Sequence, residues 1–310
     1  MSGRSGLGLW IPVLYVVASI AMVFSVGVPT SHDLVFVWLA LGIAAFSISD
    51  LRRRVPGFLL DWAPFIGILF VYDRMRGFAD GLLFPARELP QIHVDESLFG
   101  TPVPTVWLQE HLWHGAHDLR WWDYTIWFVY LTHFFVTLIV AAVLWRCAHH
   151  LFARFATMVC VLALAGFATY VLYPAVPPWL AARHGNLGHA NRLIGIIWEH
   201  VPIAHYGSLF EKGQSYANNV AAMPSLHGAY ALLVCLFLWR VLPRGFRPLL
   251  VLYPPAMAFA LIYSGEHYVV DILAGWVYAT ATFLSVEWFF ARRAQRAGAL
   301  ALEAEPALAD

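Results

Sequence analysis

Four side chains have the types and spacing for paired acid–base and nucleophilic chemistry: Ser225, His227, His267 and Asp271. His267 and Asp271 stand four apart, so on a helix they share one face. A carboxylate one turn from an imidazole can accept its Nδ1–H, fix the tautomer and stabilise the imidazolium. A buried ion pair joining helices would use the same spacing. The second segment is Ala222-Met223-Pro224-Ser225-Leu226-His227. Pro224 reads as the first residue of a helix, because its missing N–H would have had no partner there. Ser225 and His227 then lie in the first turn, where free backbone N–H groups and the positive dipole end attract an anion such as phosphate. Taken alone, this segment also reads as a helix start with a histidine at its rim. Together the two segments offer one imidazole to attack while neutral and another to donate a proton.

Such a pair needs rigid elements to hold it, and the composition says what they are. The chain has 310 residues, 60% hydrophobic and 12% charged, against about 25% charged in a globular protein. Mean hydropathy is +0.65. A soluble enzyme, a disordered chain and a nucleic-acid binder are all disfavoured. The net charge is zero, so no global field draws a polyanion. The cysteines, Cys147, Cys160 and Cys235, fall in or beside apolar runs and suggest no disulfide framework. Aromatic residues make up 16% of the chain, which suits two membrane interfaces.

Runs long enough to cross a bilayer, roughly 17–25 residues, are expected at 9–29, 33–50, 57–72, 123–145, 153–172, 224–241, 248–264 and 267–290. The first is read as a span, because no small-x-small cleavage site closes it. The short loops 51–55, 146–152 and 240–247 are all basic. By the positive-inside rule this puts both termini in the cytoplasm, and alternation over eight spans then brings both histidine segments to the extracytoplasmic rim. Two long external loops follow, 73–122 and 173–223, and the Ala-rich stretch 297–310 reads as a frayed or disordered tail. Within spans, Asp61 and Glu287 lie near cytoplasmic ends and can snorkel or pair with arginine. His133 and Asp271 are intramembrane ionisable groups, and hence functional candidates.

Pro224-Ser225-Leu226-His227 and His267-Tyr268-Val269-Val270-Asp271 resemble the second and third signature motifs of the type-2 phosphatidic acid phosphatase superfamily. The variant PSLH together with Gly265-Glu266-His267-Tyr268 is most similar to its inositolphosphotransferase branch, which includes fungal inositol phosphorylceramide synthase and actinobacterial relatives. The motif resemblance covers residues 170–276. It implies an all-α integral membrane fold with a six-helix phosphatase-like core (51–296) preceded by two additional helices (1–50), in a bacterial plasma membrane. It implies a phosphotransferase or phosphatase acting on a lipid phosphate or phospholipid, with an alcohol or lipid as a further acceptor in the transferase case. In that scheme His267 is the nucleophile that becomes phosphohistidine, Asp271 orients it and His227 is the general acid. Ser225 binds phosphate oxygens, and no metal or cofactor is required.

The sequence departs from the family where phosphate charge should be neutralised. The first motif ends in Arg-Pro after a Lys, but the matching stretch Tyr170–Leu180 has no basic residue. Ala260 and Leu261 stand where a Ser-Arg pair is expected before the nucleophile. Arg183 and Arg76 are the favoured substitutes, ahead of Arg192 and Lys212, because arginine binds phosphate bidentately. Asp73 and Arg76, in a Tyr72-Asp73-x-x-Arg76 element similar to one in the actinobacterial relatives, could contact a polyol or phosphate; they could equally cap the third span as an ion pair. The segment Ile92–Gly100 suggests the same lineage but no chemical role. His111, His114, His117 and Asp118 are spaced by about three, which a zinc site could use. The tryptophans among them favour a helix lying in the interface instead. The contrasting reading of the whole chain is a lipid or solute transporter or scramblase using the rim His and Asp without covalent chemistry. It predicts repeats, and none is visible.

Overall fold

A computed structural model describes residues 7–25, 32–46, 51–76, 84–201 and 219–304. Twelve α-helices are found among them. The first three are α1 (Leu7–Ser25), α2 (His32–Phe46) and α3 (Leu51–Arg76). Two short helices, α4 (Leu89–Phe99) and α5 (Pro104–Leu112), precede the long α6 (Trp121–Cys147) and α7 (His149–Leu172). Two more short ones, α8 (Pro178–His184) and α9 (Leu193–His200), lead to α10 (Leu226–Leu238), α11 (Arg247–Tyr263) and α12 (Val269–Ala304). No strand occurs among the described residues, only isolated parallel bridges joining Arg87, Ala175 and Ala221.

Four segments are long and apolar enough to cross a membrane: Trp121–Cys147, His149–Leu172, Arg244–Tyr263 and Val269–Ala297. Four shorter apolar helices cover Trp10–Met22, Phe36–Phe46, Pro56–Tyr72 and Leu226–Leu238. This is an all-helical integral membrane protein, and its packing shows the reason. Phe128, Val277, Leu284 and Trp288 point outward and are exposed. Concentrated on helices this long and apolar, such exposed side chains suit a surrounding solvent that is itself apolar.

One core joins α3, α6, α7, α10 and α12 through Trp62, Phe155, Met158, Leu162 and Leu233. A second joins α6, α9, α10 and α11 through Ile126, Leu193, Met257 and Leu261. A third, smaller cluster packs the short helices over one end of the bundle, with Ile92, Val106, Val176 and Ala181 against Tyr268. At the other end Asp61 accepts from Trp145 Nε1 (2.8 Å) and meets His149 Nε2 (2.7 Å), while Glu287 pairs with Arg154. Glu287 therefore has the arginine partner expected of it, whereas Asp61 is met by a tryptophan and a histidine instead.

Several boundaries differ from expectation. The loop expected at 146–152 shrinks to Ala148 between α6 and α7, and the loops expected at 73–122 and 173–223 carry α4, α5, α8 and α9. Arg52, Arg53 and Arg54 belong to the first turn of α3 rather than to a loop. The last helix runs on to Ala304, into the stretch read as a frayed tail, since alanine and leucine are strong helix formers. Residues 305–310 lie outside the described residues.

Candidate active site

The ends of α10 and α12 meet because both helices are small at their crossing. A Cβ on Gly275 would lie 2.3 Å from the Ser225 carbonyl oxygen, and one on Gly228 would lie 3.2 Å from Ile272 Cγ2. Ser225 is the N-cap of α10, and its Oγ accepts the Gly228 N–H at 3.3 Å. Pro224 therefore stands before the cap rather than opening the helix, because a serine oxygen can satisfy an N–H that proline cannot. The Ser225 N–H donates to the Asp271 carbonyl (2.9 Å) and the Tyr170 hydroxyl to the Pro224 carbonyl (2.8 Å). These bonds pin the two helix starts together.

His267 is 6% exposed. Its Nδ1 donates to the Ala222 carbonyl at 2.9 Å, so the neutral ring keeps its lone pair on Nε2. The nearest Asp271 oxygen is 3.7 Å from the same Nδ1, beyond hydrogen-bond range. The tautomer-fixing bond expected from the carboxylate is thus made by a backbone carbonyl. Asp271 stays fully buried beside the ring, and its Oδ2 accepts the Tyr268 N–H (2.9 Å).

The Ala222 carbonyl is itself held. The Ala222 N–H donates to the Ala175 carbonyl (3.1 Å), and the Val176 N–H to that of Arg87 (2.8 Å). The stretch that lacks the basic residues of the first motif therefore contributes backbone that fixes the acceptor of the His267 Nδ1–H.

His227 is half-buried, with its ring centroid 5.7 Å from that of His267. Two α6 side chains, three residues apart and so on one face, pack against it: Tyr130 at 5.0 Å and nearly parallel, His133 at 3.8 Å. Sequence reasoning flagged His133 as an intramembrane histidine but gave it no neighbour. Tyr130 carried no signal.

The basic groups sort differently from expectation. Arg192 pairs with Glu266, the residue before His267, through Nε–Oε1 at 2.8 Å and Nη2–Oε2 at 3.3 Å. Burial works against its cation, but Glu266 outweighs that and holds it charged. Its guanidinium lies 5.0 Å from the Trp179 ring centroid, and that of the exposed Arg183 lies 4.9 Å from the same centroid. Both cations thus gather on one tryptophan, whose backbone N–H donates to the Gly265 carbonyl (3.1 Å). The backbone of Asp73 and Arg76 lies in the last turn of α3. Their side chains, and the whole of Lys212, lie outside the described residues. The pairing of Arg192 with Glu266, 74 residues apart, had no local signature.

The histidines of the interfacial segment do not converge. Helix α5 ends at Leu112, so His114 and His117 leave its face. His111 Nδ1 donates to the Trp107 carbonyl (2.7 Å) and His114 Nδ1 to that of Leu112 (2.9 Å). Among the described residues no group of His, Cys, Asp and Glu is arranged to hold a metal ion.

Comparison with known proteins bears on this site. The family model described as the PAP2 superfamily matches residues 101–285. The chain is 26% identical over 266 residues to the phosphoinositol dihydroceramide synthase of Bacteroides thetaiotaomicron, covering 81% of each chain. It is 26% identical over 134 residues to the inositol phosphorylceramide synthase of Candida albicans, which is 39% of this chain and 26% of that one. No solved structure matches.

Proposed function

Since the chain belongs to the PAP2 superfamily, we propose that it transfers the phosphate-bearing head group of a membrane lipid through a phosphohistidine on His267. The relatives' names support a lipid phosphotransferase of the inositol-phosphate kind. One observation carries the reading: the Ala222 carbonyl takes the Nδ1–H of His267 and leaves Nε2 as the lone-pair nitrogen, one ring away from His227.

In the first half-reaction Nε2 of His267 attacks phosphorus. The N–P bond forms, the bond from phosphorus to the lipid alcohol oxygen breaks, and His227 gives that oxygen its proton. Asp271, 3.7 Å from Nδ1, stabilises the positive ring. In the second half-reaction an acceptor hydroxyl loses its proton to His227 and attacks phosphorus, and the N–P bond breaks. Water as acceptor gives a hydrolase, which is a phosphatase where the donor is a phosphomonoester, and a lipid alcohol gives a transferase. Ser225 and the start of α10 bind phosphate oxygens. Arg192, bridged to the nucleophile's neighbour Glu266, stands with Arg183 at the mouth in place of the basic residues that the first motif lacks. No metal enters these steps. The chain crosses the membrane eight times with both termini in the cytoplasm, which puts the site at the extracytoplasmic rim. Asp73 and Arg76, at the end of α3, belong to that rim.

The test is a radiolabelled inositol phospholipid offered to the purified protein, with acid-labile label trapped on the chain and a screen of water, ceramide and diacylglycerol as acceptors. His267→Ala should abolish both label and transfer. Full transfer by that variant refutes the mechanism. So does lipid movement across vesicles that survives loss of His227 and Ser225 while no label is ever trapped.

A further inference from the structure

The N-terminus of α12 carries the proposed nucleophile two residues before its first turn, and it is not capped by its own sequence alone. Asp95, in the middle of α4, is completely buried. Its Oδ2 accepts the Val269 N–H at 2.9 Å and its Oδ1 the Val270 N–H at 3.0 Å. Asp271 reaches back to the Tyr268 N–H. Three successive N–H groups, which a helix start leaves without intrahelical partners, are thus met by two carboxylates. One is catalytic on the proposed reading, and the other comes from 174 residues earlier in the chain.

We propose that Asp95 is a positioning residue for catalysis: it clamps the start of α12 from outside and so sets where His267 presents Nε2. The inference rests on the histidine mechanism above. Its geometry is specific, because both oxygens are used on adjacent amides and each bond fixes one peptide plane. His267 follows the turn at Gly265, whose φ of +79° gives the chain no helical continuity with α11. The clamp on Val269 and Val270 joins the Ala222 carbonyl, the Arg192–Glu266 pair and the His267 N–H bond to the Leu261 carbonyl (3.3 Å) in holding the nucleophile.

The electrostatics argue that this carboxylate is not there for stability. Burial pushes its pKa up to about 6, the two N–H bonds pull it down, and Asp271 nearby pushes it up again. An ionised carboxylate in that position is a cost to folding. A residue kept at such a cost, with two bonds aimed at the helix that bears the nucleophile, has a role that packing alone would not require. Exposed Val94, Leu98 and Phe99 on the same helix suit an α4 lying at the membrane interface, which gives the clamp a fixed base.

Asp95→Asn and Asp95→Glu, made in the full-length protein in nanodiscs, test this. Asparagine keeps the shape but accepts through one oxygen only. The expected result is an Asn variant with a melting temperature at or above wild type, a full complement of sites labelled at long times, and a rate of label formation per site at least about tenfold lower. KM for the donor lipid should change less than about twofold, because Asp95 does not touch substrate. Asp95→Glu, which keeps both carboxylate oxygens, should recover part of the rate. A rate per site within about twofold of wild type in Asp95→Asn overturns the proposal. So does a rate loss explained entirely by a lower melting temperature and fewer labelled sites. If wild type itself traps no label, the mechanism is what has failed. The clamp is then judged alone by amide hydrogen exchange, and unchanged protection at Val269 and Val270 in Asp95→Asn refutes it.

Discussion

Gly275 of α12 packs so near the backbone of Ser225 that a Cβ there would overlap it, and Gly275→Ala probes this crossing directly. A methyl at this position would lie 2.3 Å from the Ser225 carbonyl oxygen and 3.2 Å from its carbonyl carbon. The obstructing atom is backbone at the cap of α10, so no side-chain rotation relieves it. Helices α10 and α12 must separate by roughly 1 Å to restore van der Waals contact. Overpacking of this kind costs about 1–3 kcal/mol. The separation acts on the line between Ser225–His227 and His267–Asp271, where a misplacement of about 1 Å costs about a hundredfold in rate. Gly228→Ala on the facing helix is the internal comparison: its Cβ would meet Ile272 Cγ2 at 3.2 Å, a methyl that can yield, so the rate should fall by less than about tenfold. Gly67→Ala, with nothing within 4 Å, should be neutral. The assay is initial transfer rate per folded protein, with folding checked by gel filtration and thermal melt. Gly275→Ala with a rate within about twofold of wild type would refute the claim that the helix crossing sets the catalytic distance.

Two other perturbations follow from the same geometry. Arg192→Lys keeps the charge but loses the two-point pairing with Glu266 and the stacking on Trp179, so donor KM should rise about tenfold or more, while Arg183→Lys, exposed and without that pair, should change it less than about threefold. For Asp95 the sign of the pH effect is fixed by its raised pKa, about 6 against a reference of 3.8. The folded protein holds that proton more tightly than the unfolded chain, so the contribution is fully present below about 4 and is lost as pH rises through about 6. A difference of that size corresponds to about 3 kcal/mol. The melting temperature of wild type relative to Asp95→Asn should therefore fall between about pH 4 and pH 7, and a difference that is flat with pH would contradict the assignment.

Much of the site was legible because its chemistry is written in short spacings. Ser225 with His227, and His267 with Asp271, each lie within one helical turn, and the structure brings the two turns together. What sequence could not show is what depends on chain distant in sequence. The acceptor for His267 Nδ1 is a backbone carbonyl 45 residues away, and every residue has one. Asp95 was one acid in an unassigned segment until its oxygens met the amides of Val269 and Val270. Arg192 ranked below Arg183 and Arg76 because its partner Glu266 comes into view only when the loop before α9 packs on the turn after α11. The long helices were legible as continuous apolar runs, and α5 in part through its interleaved tryptophans and histidines; α4, α8 and α9 were not, being too brief and mixed to announce themselves by period.

The way the two helix starts are filled decides where a phosphate can sit on the proposed reading. A helix N-terminus is an anion site by virtue of its free N–H groups and dipole. At α12 that capacity is already used, because Asp95 and Asp271 between them take the N–H groups of Tyr268, Val269 and Val270. A phosphate brought there would meet two carboxylates rather than a positive end. At α10 the cap is a neutral serine, and its oxygen takes the N–H of Gly228, with His227 in the same turn. The substrate anion therefore belongs at α10, with Arg192 neutralising it from the side. On that reading the carboxylates at α12 keep the substrate off the helix that follows His267 while holding that helix in place. Attacking and binding functions are divided between two helix ends, and the Ser225–Asp271 backbone bond of 2.9 Å keeps them in register.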